Sequence, residues 1–124
     1  MPLITIETSP IFDMHGAVFQ GMSSPSRGAK ENSVWIVTIA GGTPGTTHQV
    51  TREETLIGLE GTATALLGGE TYELSSKTAL VIPANTDFQL SNLSGAPFCA
   101  VVVLPVGGQA RMANQDPFTP PWAR

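Results

Sequence analysis

Gly42-Thr43-Pro44-Gly45-Thr46-Thr47-His48-Gln49-Val50-Thr51-Arg52-Glu53-Glu54-Thr55-Leu56-Ile57-Gly58-Leu59-Glu60-Gly61 is the stretch on which the fold turns. It runs from a glycine through five residues to His48, passes Gln49 and Val50, reaches Glu54 after three more, and closes on Gly61. Gly41 to Gly45 holds turn residues only, so the chain reverses there. Thr46–Val50 and Glu54–Leu59 read as strands joined by a charged turn at 51–53. His48 and Glu54 are among the side chains here that can hold a metal ion or move a proton.

Outward from this stretch the period is two almost everywhere. Leu3–Glu7 reads as a first strand and His15–Met22 as a second, with a polar loop at Ser23–Asn32. Ser33–Ala40 is β-branched and aromatic, as a strand requires. Thr62–Leu67 and Glu70–Leu74 flank Gly68-Gly69, a two-residue hairpin signal. Lys77–Ile82 stops at Pro83; Thr86–Ser91 and Phe98–Leu104 follow, separated by a turn at Ser94–Pro97. No segment sustains a period of 3.6 with caps. So many short strands predict an all-β closed barrel or sandwich, closure removing exposed edges. Beyond Pro105 the prolines at 117, 120 and 121 predict an extended tail. Its Phe118 and Trp122 are costly to leave in water, so the tail is expected to pack on the barrel or on a neighbouring subunit.

The 124 residues suit a single domain, with the barrel over about 33–105 and the Pro-rich tail over 106–124. Thirteen glycines, ten prolines and only 13% charged residues favour strands and turns. The net charge is −4, and the six basic residues form no run that could track a phosphate backbone, so nucleic acid is not an expected partner. No apolar run has the length of a membrane span, and the N-terminus lacks the pattern of a secretory leader. A lone Cys99 leaves no intrachain disulfide, reads as a small buried hydrophobe, and suits a cytoplasmic location.

The stretch from Gly42 to Gly61 resembles the first signature of the cupin family, in which a glycine, five residues and a His-x-His pair precede a glutamate and a closing glycine. Here Val50 stands at the second histidine. The family's second signature is a glycine, five residues, Pro-x-Gly, two residues, a histidine, three residues and an asparagine. The aligned stretch keeps Pro83 and Asn92, and has Lys77, Asn85 and Phe88 at the other positions. The resemblance spans about Val34 to Leu104 and implies a cupin-type double-stranded β-helix, the RmlC-like jelly-roll barrel. It also implies a metal held by three histidines and a glutamate, of which His48 and Glu54 remain while Val50 and Phe88 offer no lone pair. No cofactor is therefore expected; a divalent transition metal on His48 and Glu54 is the alternative.

The expected function is binding of a small organic molecule in an apolar cavity walled by Trp35, Val50, Phe88 and Leu90. Metal-independent acid/base chemistry of isomerase, lyase or cyclase type would run through His48 and Glu54. Burial would raise the Glu54 pKa and pairing with His48 would oppose that; alternatively the two merely satisfy each other. A non-catalytic ligand-binding or sensor cupin and a metal-dependent dioxygenase or isomerase with fewer ligands are the other readings. A homodimer is expected, from the apolar tail and from the family's habit of pairing barrels. Gln49 and Gln89 should face outward, Asn92 should support a turn, and Met14, Met22 and Met112 read as packing residues, with lining of a pocket mouth as their alternative. The facing of His15 is open.

Overall fold

Period-two burial governs the backbone in three dimensions as in the sequence. The computed structural model describes residues 3–124. The strands are β1 (Ile11–Met14), β2 (Ala17–Ser23), β3 (Asn32–Ile39), β4 (His48–Val50), β5 (Glu54–Glu60) and β6 (Ala63–Leu67). They continue with β7 (Glu70–Leu74), β8 (Ala79–Ile82), β9 (Phe88–Ser91), β10 (Phe98–Pro105) and β11 (Ala110–Met112). Two antiparallel sheets result, ordered β1-β2-β3-β10-β5-β8 and β11-β4-β9-β6-β7. This is the jelly-roll arrangement that the strand spacing and the two signatures imply. Among the described residues no helix is long and apolar enough to cross a membrane.

The core sits between the sheets because inward residues of neighbouring strands coincide in register. Ser33, Trp35, Val37 and Ile39 of β3 are buried, as are Phe98, Ala100, Val102 and Leu104 of β10. Val102 lies opposite Trp35 on one side and opposite Leu56 on the other. A one-residue slip would turn all of these outward, so burial locks the register. The same alternation moves Cys99 off the core. It is half-buried on the outer face of β10, with the Thr38 hydroxyl 3.9 Å from its sulfur, and not the buried hydrophobe expected of its apolar run.

Two turns use backbone that favours glycine. Gly68 and Gly69 both have positive φ, +58° and +87°, and join β6 to β7 as the sequence predicts. A second tight hairpin was hidden in the sequence. His15 (φ +51°) and Gly16 (φ +83°) turn β1 into β2, so the strand expected over His15–Met22 begins only at Ala17. The strand expected at Leu3–Glu7 does not form. Ile6–Thr8 is a 3-10 turn instead, and the first strand is Ile11–Met14. Thr8 and Ser9 donate their hydroxyls to the Thr5 carbonyl, and the Thr8 amide does likewise, so local bonds outcompete a ladder.

The C-terminal segment is more structured than an extended tail. Its strand β11 joins the five-stranded sheet, with Met112 opposite His48 and Ala110 opposite Val50. Trp122 is then laid against β2, stacked on Phe19 at 3.7 Å and 6°. The Ser33 hydroxyl donates to the Ala123 carbonyl at 2.8 Å in the interior, and Gly21 leaves room for the Trp122 carbonyl.

Candidate functional site

The inward faces of both sheets leave a cavity of about 480 Å³. Trp35, Val50, Phe88 and Leu90, expected as its walls, all line it, as do His48 and Glu54. Because β4 alternates, His48 and Val50 share the inward face and Gln49 points out, its amide donating to Asp87 at 2.9 Å. Gln89 also faces out and accepts from the Thr47 hydroxyl at 3.1 Å. Asn92 is fully buried and supports turns: it donates to the Ile39 and Ala96 carbonyls and accepts from the Ser94 amide and hydroxyl.

His48 and Phe88 are direct cross-strand neighbours, with ring centroids 5.5 Å apart in an edge-to-face contact at 65°. The residue where a metal-binding member would carry an imidazole is thus a packed phenyl ring beside the surviving histidine. The His48 Nδ1 lies 3.0 Å from the Thr46 carbonyl oxygen. A carbonyl only accepts, so Nδ1 carries the hydrogen and in the neutral ring Nε2 keeps its lone pair.

Glu54 enters from the other sheet at the start of β5, opposite Ile82, which is itself fully buried. It is only 7% exposed, and burial is the one influence on its carboxyl, with no hydrogen bond or ion pair from the described residues opposing it. The alternative in which His48 and Glu54 satisfy each other is therefore not what the structure shows: the imidazole bonds to backbone, and no bond joins the two. Burial without compensation raises its pKa from 4.5 to about 7.

The donor set falls short of the metal that the resemblance implies. Tight structural and catalytic sites for such ions take three or four protein ligands. Among the described residues no three His, Cys, Asp or Glu side chains come together, although His15 lines the same cavity. Val50 and Phe88 supply packing where lone pairs would be needed, so the residues present do not fit such an ion.

Sequence reasoning missed part of the wall. Phe19 and the tail residues Phe118 and Trp122 line the cavity, as do the β1–β2 hairpin tip and the 43–46 turn. Met14 and Met112 line it too, whereas Met22 instead accepts a bond from the Ser9 hydroxyl. The available signal was the pair of large aromatics in an otherwise polar, proline-rich tail.

A family model described as a cupin domain matches residues 35–104, more than half of the chain. The chain belongs to the cupin family. No curated protein matches this cupin by sequence. Among solved structures it is similar to the polyketide cyclase RemF from Streptomyces resistomycificus, with TM-score 0.80 and 16% identity over 94% of this chain and 87% of that one. It is also similar to KdgF from Halomonas sp., with TM-score 0.70 and 20% identity over 85% and 94%. A sugar phosphate isomerase from a cupin superfamily of Silicibacter pomeroyi gives TM-score 0.69 and 15% identity over 93% and 83%. At these identities the likeness is one of fold.

Proposed function

We propose that this cupin binds a small organic molecule in its cavity and moves a proton on it without a metal, with Glu54 as acid or base and His48 as its counterpart. The observation that carries this is the unpartnered Glu54 carboxyl, whose pKa of about 7 lets it give or take a proton at neutral pH. The His48 Nε2 lone pair, freed by the Nδ1 bond to Thr46, suits a complementary acceptor. Isomerisation, elimination and cyclisation all need such a transfer, and two of the similar structures are named as a cyclase and an isomerase. That supports the reaction class without naming a substrate.

The test is turnover of candidate enolisable ligands. Glu54→Gln should abolish it while leaving binding within a few-fold, and kcat should follow a group titrating near pH 7. If ligands bind and none is ever turned over by the wild type, the protein is a binding or sensor module instead.

We further propose a cytoplasmic homodimer. The middle of the outer face of the six-stranded sheet presents Val34, Ile36, Ile57, Val81, Val101 and Val103, Ile57 being 39% and Val81 53% exposed, with Asp13 and Glu60 on its margins. An apolar patch with a charged rim pairs readily with its own copy.

A further inference from the structure

We propose that the cavity selects uncharged, flat, largely apolar ligands bearing carbonyl or hydroxyl oxygens, and rejects phosphates and carboxylates. This rests on Glu54 belonging to the ligand site, as read above, and it names the ligand class for that site.

Three observations converge on it. The first is the distribution of charge. None of the six basic residues lines the cavity. Arg27 is bound to Thr8, Arg52 to the Val106 carbonyl and Arg111 to Asn85, all outside it. Lys30, Lys77 and Arg124 are exposed. An anion entering would meet no Arg or Lys, only the imidazoles of His15 and His48, and Glu54 when ionised would repel it across a medium that screens poorly. Recognition of phosphate or carboxylate ordinarily relies on Arg or Lys.

The second is the wall. Trp35, Phe88, Phe19 and Trp122 come from four different segments and face one space with Val102 and Leu104. Flat aromatic surfaces reward a flat ligand through stacking and edge contacts. The cavity's volume of about 480 Å³ lies within the range that holds drug-sized molecules.

The third is an unmet hydrogen-bonding group. Glu54 is more than nine-tenths buried and has no hydrogen-bond partner among the described residues; in its protonated form it is a donor. Buried polar groups are seldom left unpaired, and a ligand oxygen would satisfy this one.

The test uses a matched pair of probes, 2-acetylnaphthalene and 2-naphthoate, which share ring and shape and differ in charge. Binding to the intact protein is followed at pH 6, where Glu54 is mostly protonated and naphthoate is still ionised, and at pH 8, by tryptophan fluorescence and calorimetry, with no turnover required. The neutral ketone should bind at least tenfold tighter than the carboxylate. Glu54→Gln should narrow that gap by improving naphthoate binding, and Met112→Arg, which places a cation at the half-exposed cavity wall, should narrow or reverse it. Naphthoate binding as tightly as the ketone in the wild type would overturn the proposal, as would a ketone that does not bind up to its solubility limit. Absence of any turnover by the wild type, with the probe preference intact, would instead sink only the proton-transfer reading.

Discussion

Replacing Glu54 by glutamine should change the pH dependence of folding more than any other single substitution in this chain. A carboxyl with an ordinary pKa of 4.5 in the unfolded chain and about 7 in the folded one binds more protons when folded, between those two values. Its contribution to stability is therefore fully present below pH 4.5 and is lost as the pH rises through 7. The gap between the two values, at about 1.4 kcal/mol per pH unit, corresponds to roughly 3 kcal/mol. Most of that falls between pH 5 and pH 8. A glutamine side chain does not titrate, so this slope should vanish from the variant. The buried amide will itself lack partners and cost about 1–3 kcal/mol, but that cost is the same at every pH. The assay is urea denaturation of both proteins at pH 5, 6, 7 and 8. Wild-type stability should fall relative to the variant by roughly 2–3 kcal/mol across the series. Parallel curves would show that Glu54 is solvated or paired, and the argument for a neutral-pH acid would fail with it.

Trp122→Ala should cost about 3–5 kcal/mol, the usual loss for a buried aromatic, because the ring stacks on Phe19 and meets Trp35 and Phe12. A loss under about 1 kcal/mol in urea melts would mean that the tail is not seated on the barrel. Elemental analysis of purified protein should find much less than one transition-metal ion per chain. A stoichiometric ion that disappears with His48→Ala would overturn the metal-independent mechanism. Val81→Glu, on the exposed outer face of β8, should convert the proposed dimer to a monomer in analytical ultracentrifugation while leaving the far-ultraviolet spectrum unchanged. An unaltered sedimentation coefficient would remove that face as the interface.

Much of the barrel was legible because its rules are local. The inward set Trp35, Val37 and Ile39 is visible as every second residue, and burial of one face enforces the same pattern in space. The Gly68-Gly69 turn announces itself through the positive φ that two glycines accept. His15-Gly16 makes the same kind of turn without advertising it, since histidine takes positive φ far less often than glycine does. Leu3–Glu7 shows the opposite failure: its alternation was genuine, yet Thr5, Thr8 and Ser9 close a turn on themselves and leave Leu3 79% exposed.

The chain's own order of residues was enough to establish an all-β cupin barrel, and to show that two of the four positions where the family's metal-binding members carry ligands hold Val50 and Phe88. It also placed His48 and Glu54 on inward-facing strand positions, because signature spacing and alternation are properties of the chain. That these two do not pair emerged only in three dimensions. Partnership depends on what stands across the cavity: the Thr46 carbonyl takes the imidazole hydrogen, and apolar walls leave Glu54 with nothing. The tail likewise became wall and strand through contacts some ninety residues distant in sequence, such as Ser33 with Ala123, which no local pattern encodes.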